Sequence, residues 1–399
     1  MAPGGAWVEA VDPFDLSGVP PGTSVPVTAI LAGLGITLCD NRFELAAVRV
    51  SRSPLQRAVM TLVRGVIPTR IAPMLALASN RMKAIVQNGY GSPDVLELRD
   101  IDPPAVSDDT VRVRIRAASI NAFDWGMLRR VVHVIAWLIG NPVPRIRGGD
   151  MAGVVDACGR NVSRFKPGDE VFGIARGTFA EYATTTEARL ALKPRPLTFE
   201  QAAAMPVAGC TALQGLRDKA QVQPGQRVLI YGAGGGTGTF AVQIAKALGA
   251  HVTAVTRTEH MDLLRSIGAD DVIDYTREDF TRRGECYDVV FDIGADRSSA
   301  DCERVLTPNG KLVLVGAPKR LGALLGRILG ALVMRRRRGG RIMLSARARQ
   351  EDLVALKEFA EAGKLSPVID RTYPLREVPE AFRYFATGRI GGKIVISVA

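Results

Sequence analysis

Four absences narrow the sequence before any motif is read. No uninterrupted apolar run reaches about 18 residues, which excludes an ordinary transmembrane helix. The five cysteines, Cys39, Cys158, Cys210, Cys286 and Cys302, are scattered, odd in number and form no C-x-x-C pair. They supply neither a disulfide framework nor a zinc knuckle, and they fit a reducing compartment. No zinc finger, RNA-recognition motif or interleaved basic and aromatic patch is found, so nucleic acid is not an expected partner. The start of the chain lacks the basic and apolar regions of a secretory signal.

What is present suits a globular protein of two or three domains: 399 residues, 47% hydrophobic and 23% charged. The net charge of +12, from 52 Lys+Arg against 40 Asp+Glu, favours phosphate-bearing ligands or an anionic surface, although arginine excess is also a common compositional bias.

One stretch, Arg227 to Thr256, organises the chain. The apolar run Val228-Leu229-Ile230-Tyr231 reads as a buried parallel strand. A glycine cluster comes next, Gly232, Gly234, Gly235, Gly236 and Gly238. Phe240, Ala241, Ile244, Ala245 and Leu248 then recur at helical spacing until Gly249, and His251 to Thr256 reads as a second strand. Strand, glycine turn, helix and strand make a βαβ unit whose tight turn brings backbone N–H groups to a pyrophosphate. The G-x-G-x-x-G fingerprint falls on Ala233, Gly235 and Gly238, so its first glycine is an alanine.

The end of the second strand selects the nucleotide. A site for NAD usually places Asp or Glu there to accept from the ribose hydroxyls. This chain has Thr256-Arg257-Thr258, and its first acid, Glu259, comes later and starts the next helix. Arg257 can pair with a 2′-phosphate where an acid would repel it, which predicts NADP(H), with a solvated turn residue as its plainer role.

Along the chain, Met1 to Arg81 differs in texture from residues 82–399. It is rich in Gly, Pro and Val at its start and carries an apolar, arginine-bearing stretch from Leu55 to Leu77. A transit peptide or a surface-binding arm fits, but the preferred expectation is an extension outside the enzyme fold that includes translation from an upstream start. Met82 then reads as a natural first residue. Short strands bounded by glycine continue from Met82 through Val95–Leu98, Val111–Ala117, Gly153–Val155, Pro167–Gly173 and Gly177–Tyr182, an all-β texture. A helical pattern covers Thr198 to Leu216. After the βαβ unit, strands are predicted at Asp271–Asp274, Asp288–Asp292, Lys311–Val315 behind a Pro308-Asn309-Gly310 turn, and Arg341–Ser345. Alternation with helices implies a doubly wound parallel sheet. The tail reads as a helix from Glu351 to Ala362, strand-like Val368-Ile369, a helix from Val378 to Phe385 and a strand from Lys393 to Val398, and it is expected to return to the β-rich part.

From Met82 onward the chain resembles the medium-chain dehydrogenase/reductase superfamily, in its zinc-independent quinone oxidoreductase-like branch. The resemblance is carried by Met82–Val86 with Gly91-Ser92-Pro93, by Ser119-Ile120-Asn121-Ala122-Phe123-Asp124-Trp125, and by Gly149–Val155. Lys166–Val171, Gly177–Tyr182, the Ala233–Gly238 turn, Val272–Tyr275 and Gly392-Lys393-Ile394-Val395 complete it. It implies an α/β fold in which a GroES-like β-rich catalytic domain, 82–206 completed by 349–399, wraps a Rossmann domain, 207–348.

Zinc-dependent relatives carry Cys where this chain has Asn121 and Gly-His-Glu where it has Gly148-Gly149-Asp150. Glycine has no ligand atom and an amide is no thiolate, and the cysteine-rich structural zinc lobe is also missing, so no metal is expected. By the same resemblance Asn121 and Asp124 are the catalytic candidates beside the nicotinamide and its ribose, with bracing of a turn as their plainer role. The resemblance places Thr211, Ala233, Gly235, Gly236, Thr237, Gly238, Thr256, Arg257, Tyr275, Val315, Gly316, Gly392 and Lys393 on the cofactor. Tyr182 is expected to be structural, and Cys210 a small buried filler.

One stretch departs from shorter relatives. Leu321, Leu324, Leu325, Ile328, Leu329, Leu332 and Val333 form an apolar helical stripe followed by Arg335 to Arg338. Within 320–340 three roles stay open: a membrane-surface helix with its arginines on anionic lipid, a lid over the substrate, or the interface of a homodimer.

These readings converge on a cytoplasmic, NADPH-dependent reductase of a small quinone or α,β-unsaturated carbonyl, with an organellar or membrane-peripheral location as the alternative. A quinone needs no dedicated acid, whereas an enone needs a donor at its oxygen and a proton at the α-carbon. The sequence marks no single acid. The rival reading is a non-catalytic NADPH-binding adaptor or sensor at a membrane or protein partner, which binds NADPH without turnover.

Overall fold

A computed structural model of the chain describes residues 36–39, 42–45, 81–129, 145–294, 298–316 and 340–398. Its contacts divide it into two units, Met1–Ser79 and Asn80–Ala399. In the first, β1 (Ile36–Cys39) and β2 (Arg42–Leu45) pair antiparallel. The stretch from Leu55 to Leu77 and the amphipathic segment, up to residue 339, lie outside the described residues.

The second unit opens with the antiparallel pair β3 (Met82–Gln87) and β4 (Leu96–Ile101). Next come β5 (Thr110–Ser119), β6 (Asp150–Cys158), β7 (Glu170–Ile174), β8 (Tyr182–Thr186) and β9 (Leu190–Leu192). β5 shows why this part is a sheet. Val111, Val113 and Ile115 are buried, and Arg112, Arg114 and Arg116 alternate with them on the opposite face.

The βαβ series supplies β10 (Arg227–Tyr231), β11 (His251–Thr256), β12 (Asp271–Asp274), β13 (Tyr287–Asp292), β14 (Leu306–Val315) and β15 (Gly340–Leu344). They form one parallel sheet in the order β12-β11-β10-β13-β14-β15. The order reverses between β10 and β13, the switch point at which doubly wound sheets bind nucleotides. Both faces of the sheet are buried. Val228, Ile230, Val252, Ala254, Phe291 and Val313 pack into one core, and Leu229, Tyr231, Val255, Val290, Leu312 and Leu314 into another. That two-sided burial is why the strands read as continuous apolar runs.

The tail supplies a helix, Gln350–Glu361, then β16 (Ile369–Pro374), a helix, Val378–Ala386, and β17 (Lys393–Ser397). β17 pairs antiparallel with β5 and parallel with β16, giving the sheet β16-β17-β5-β6-β7-β9 with β8 also on β5. The return of the tail to the β-rich part is thus direct.

Four local expectations are corrected. The helical pattern from Thr198 to Leu216 is not one helix. It breaks at Pro206 into Phe199–Ala204 and Pro206–Leu213, then widens into a π-helix, Gln214–Ala220. Proline has no N–H for the preceding turn and is suited to opening a new helix. In Gly177–Tyr182 only Tyr182 begins a strand, β8; Ala180 makes an isolated bridge to Ala84. Pro308-Asn309-Gly310 lies within β14, where the register with β13 shifts. Val368-Ile369 underestimates β16, whose sequence IDRTYP is too polar for a core strand and lies at the sheet edge.

Candidate active site

The glycine turn leaves β10 at Tyr231. Gly232 has φ of +85°, a conformation that favours glycine. The N–H groups of Gly232 and Ala233 both donate to Val255 O, pinning the turn to β11. Gly235 caps the helix Gly236–Ala247, whose first N–H groups have no intrahelical acceptors and point to an anion site. A Cβ on Gly238 would lie 2.4 Å from the carbonyl oxygens of both Gly232 and Ala233, so only glycine lets this helix approach the turn. Ala233 is fully buried in the core, which explains the methyl group where the fingerprint expects glycine. The cradle fits a dinucleotide.

At the other end of the same edge, Thr256 is buried at the end of β11. The Arg257 guanidinium lies 5.8 Å from the Tyr275 ring centroid, and Tyr275 meets Tyr231 edge-on at 6.4 Å. An acid is nearby: Asp274 stands opposite Thr256 in the β11–β12 register. It is occupied, however, by the Thr258 hydroxyl, by the Thr276 N–H at 2.9 Å and hydroxyl at 2.7 Å, and by Arg277 at 3.5 Å. Glu259 lies in a short turn, Thr258–His260, ahead of the helix Met261–Ser266. Val315 and Gly316, the latter with φ of +74°, end β14 on the same edge as Tyr231 and Thr256.

The polar centre is assembled from three adjacent strands. Ser119 faces Asp150 across β5 and β6 and faces Val395 across β5 and β17. The fully buried Asp150 carboxylate accepts from the Ser119 hydroxyl at 2.9 Å, the Asn121 amide at 2.9 Å and the Lys393 ammonium at 3.3 Å. Its other oxygen accepts from the Val207 N–H at 3.0 Å, at the start of the helix Pro206–Leu213. Lys393 also donates to Asn121 Oδ1 at 2.7 Å and Ile120 O at 3.1 Å. Burial pushes the Lys393 amine down, while the Asp150 and Asp124 charges oppose that shift.

Asp124 closes the group from the side. Its carboxylate accepts from the Asn121 N–H at 2.8 Å and so braces the first turn of the helix Ala122–Gly126. Burial pushes its carboxyl up to about 7, against the pull of that hydrogen bond. Arg147, 4% exposed, is a charged neighbour of Asp124 and donates to Gln87 Oε1 at 2.6 Å.

The two regions meet at Gly392. Its N–H donates to Gly234 O at 3.0 Å, and Gly236 packs against Lys393 Cδ. Thr211 is half-buried and its hydroxyl donates to Val207 O at 2.6 Å. Cys210 is buried, and burial pushes its thiol up, away from the thiolate a nucleophile needs.

Known proteins resemble the chain in sequence and fold. Residues 107–195 match the model of the alcohol dehydrogenase GroES-like domain, and residues 267–396 that of the zinc-binding dehydrogenases. A 2-methylene-furan-3-one reductase of Solanum lycopersicum is 35% identical over 333 residues, covering 79% of each chain. A chloroplastic NADPH-dependent alkenal/one oxidoreductase of Arabidopsis thaliana is 34% identical over 79% of each. The solved quinone oxidoreductase of Coxiella burnetii superposes with a TM-score of 0.72 at 30% identity, over 80% of this chain and all of that one. The chain belongs to the medium-chain dehydrogenase/reductase superfamily, in its zinc-independent quinone oxidoreductase-like branch.

Zinc in one of those descriptions does not fit the residues here. Both polar atoms of the Asn121 amide are engaged, Gly149 has no side chain, and Asp150 holds four hydrogen bonds. Among the described residues no group of three His, Cys, Asp or Glu could hold a metal ion.

Within this quinone oxidoreductase-like fold, the structure brings Asn121, Asp124 and Lys393 into one cluster, and Arg257 and Tyr275 into another. Ala233, Gly235, Gly236, Thr237 and Gly238 lie in the turn or first helical turn between them. The sequence marks Ser119 and Asp150 only within family motifs, Asp150 also as a replaced zinc ligand, and it assigns neither a role in the site; Arg147 it does not mark at all. The signal available was a carboxylate opening the otherwise apolar stretch Met151–Val155. Its three side-chain partners come from separate strands and turns, which no local pattern reveals.

Proposed function

We propose that the chain is an NADPH-dependent, zinc-independent oxidoreductase that passes hydride to a quinone or to the β-carbon of an α,β-unsaturated carbonyl. One observation carries the reading. The Gly392 N–H bond to Gly234 O joins the pyrophosphate turn to the strand whose lysine holds Asn121. A bound nicotinamide supplies the hydride. The Gly232–Gly238 turn and the helix after it hold the pyrophosphate, and Val315 and Gly316 line the nicotinamide side. Thr211 and the backbone of Gly392 contact the cofactor between these ends. Asn121 and Asp124 are the groups assigned to the reacting end.

The preference for NADPH over NADH is supported by Arg257 beside Tyr275, with the nearest strand-end acid, Asp274, already occupied. The named substrates of the relatives, an unsaturated furanone, alkenals and enones, and quinones, all accept hydride in conjugation with an oxygen. We place 1–81 outside the enzyme fold, 82–206 with 349–399 in the catalytic domain, and 207–348 in the nucleotide domain. The four free cysteines among the described residues support a reducing compartment such as the cytoplasm, and none of the described helices is long and apolar enough to cross a membrane. Homodimerisation or membrane-surface contact through 320–340 is read by sizing and by vesicle flotation.

The deciding experiment screens NADPH oxidation by the purified chain against quinones, enones and aldehydes. Turnover with a quinone or enone is expected. Tight NADPH binding without turnover on any acceptor would replace the enzyme by a binding protein.

A further inference from the structure

We propose that Lys393 and Asp150 are positioning residues for Asn121: they lock its side-chain amide in one orientation and leave one N–H for the oxygen of the acceptor. The proposal deepens the reductase reading above and rests on it.

The chemistry of the two neighbours decides the orientation. Lys393 has three donors and no acceptor, so the amide atom 2.7 Å from its ammonium is oxygen. The Asp150 carboxylate is an acceptor, so the amide atom 2.9 Å away is nitrogen. A flip of the amide would set N–H against ammonium and oxygen against carboxylate, with both partners almost wholly buried.

Both anchors are themselves fixed. Lys393 uses its remaining donors on Ile120 O and Asp150, so the ammonium is spent within the protein. Asp150 is held by the Ser119 hydroxyl and the Val207 N–H, one from the neighbouring strand and one from a helix start. Asn121 is the member of this trio that is only half-buried. Its second amide N–H has no hydrogen-bond acceptor among the described residues and is the group a ligand can reach. A donor held in place before the acceptor arrives stabilises negative charge on a quinone or enone oxygen without reorganising.

The test has two independent arms. In 15N-labelled protein, the Asn121 Nδ2 proton held by Asp150 should resonate well downfield of its partner, and the separation should collapse in Lys393→Met. This arm needs no turnover. In the kinetic arm, Asn121→Ala and Lys393→Met should each lower kcat by about ten- to a hundredfold. The NADPH Kd, read by fluorescence, should change by a smaller factor than kcat in both. Because Lys393 acts through Asn121, the double variant should lose no more than Asn121→Ala alone. Lys393→Met leaves a buried carboxylate without its counter-charge; if it does not fold, Asp150→Asn/Lys393→Met removes both charges and takes its place in the cycle. Multiplying losses, a parent kcat in Asn121→Ala, or an ordinary proton separation in the parent protein would each overturn the proposal. Absence of turnover with every acceptor would sink the reductase reading instead, and the resonance arm would still decide the positioning.

Discussion

The Arg257 guanidinium stands 5.8 Å from the centroid of the Tyr275 ring, so the residue after β11 and the residue after β12 form one basic, aromatic corner. The corner predicts nucleotide choice. Arg257→Ala should weaken NADPH binding by about 1–3 kcal/mol and leave NADH binding nearly unchanged. Isothermal titration of both nucleotides against both proteins measures it. Equal affinities in the parent chain would defeat the assignment.

Asp124 predicts a pH dependence of stability. Its carboxyl titrates near 7 in the folded chain against an ordinary value of 3.8. Between those values the native state holds a proton that the unfolded chain has lost, so stability falls as pH rises. The contribution is fully present below pH 3.8 and gone above about pH 7. Asp124→Asn should remove the loss, and the gap between variant and parent in urea should open across that window. The gap should not exceed about 4 kcal/mol. Parallel curves at every pH would show that this carboxyl titrates normally.

Two glycines of the turn should behave differently. A Cβ on Gly238 meets two backbone oxygens at 2.4 Å, whereas one on Gly235 comes no closer than 3.7 Å to Gly232 O. Gly238→Ala should cost about 1–3 kcal/mol or more and abolish nucleotide binding. Gly235→Ala should keep the parent melting temperature and lose affinity only for the nucleotide, whose phosphates approach that backbone. Thermal melts with and without NADPH separate the two outcomes.

Metal content is directly measurable. The purified protein should contain no stoichiometric zinc, and strong chelators should leave NADPH-dependent reduction unchanged. Zinc near one per chain, with activity lost on its removal, would move the mechanism to Lewis-acid chemistry.

The extension offers a deletion test. A chain beginning at Met82, the first residue of β3, should fold and bind NADPH as the full chain does. Insoluble or unfolded protein from that truncation would show that residues 1–81 contribute to the core.

Much of the nucleotide half was legible in the sequence because its signals are local. Val228–Tyr231 is apolar because both faces of β10 are covered, and the glycine turn must come within a few residues. The helix stop at Gly249 is likewise local: its φ is +84°. The polar centre was legible only in part. Asn121 and Asp124 lie in one turn and were marked by the family resemblance of that stretch. Lys393 and Asn121 are 272 residues apart, and nothing near either residue states that one holds the other. Asp150 was obscured for a different reason: a buried acid within an apolar strand gains its meaning from donors on β5, β17 and the helix beginning at Pro206. The break of the Thr198–Leu216 pattern was available in Pro206, but the apolar spacing on both sides masked it.

The attachment of β17 to β5 also sets an order of assembly. As the chain is synthesised, β6 and β8 can join β5 early, while the remaining backbone edge near Ala117–Ser119 waits for Val395–Ser397. Until then the carboxylates of Asp124 and Asp150 lack the amine that balances them, and the glycine turn lacks the Gly392 N–H on its Gly234 carbonyl. A chain that stops before Lys393 therefore keeps an open strand edge and an unbalanced acidic interior, and an open edge is prone to aggregate. The last hydrogen bond of the glycine turn and the last charge of the polar centre arrive together, with a single late strand.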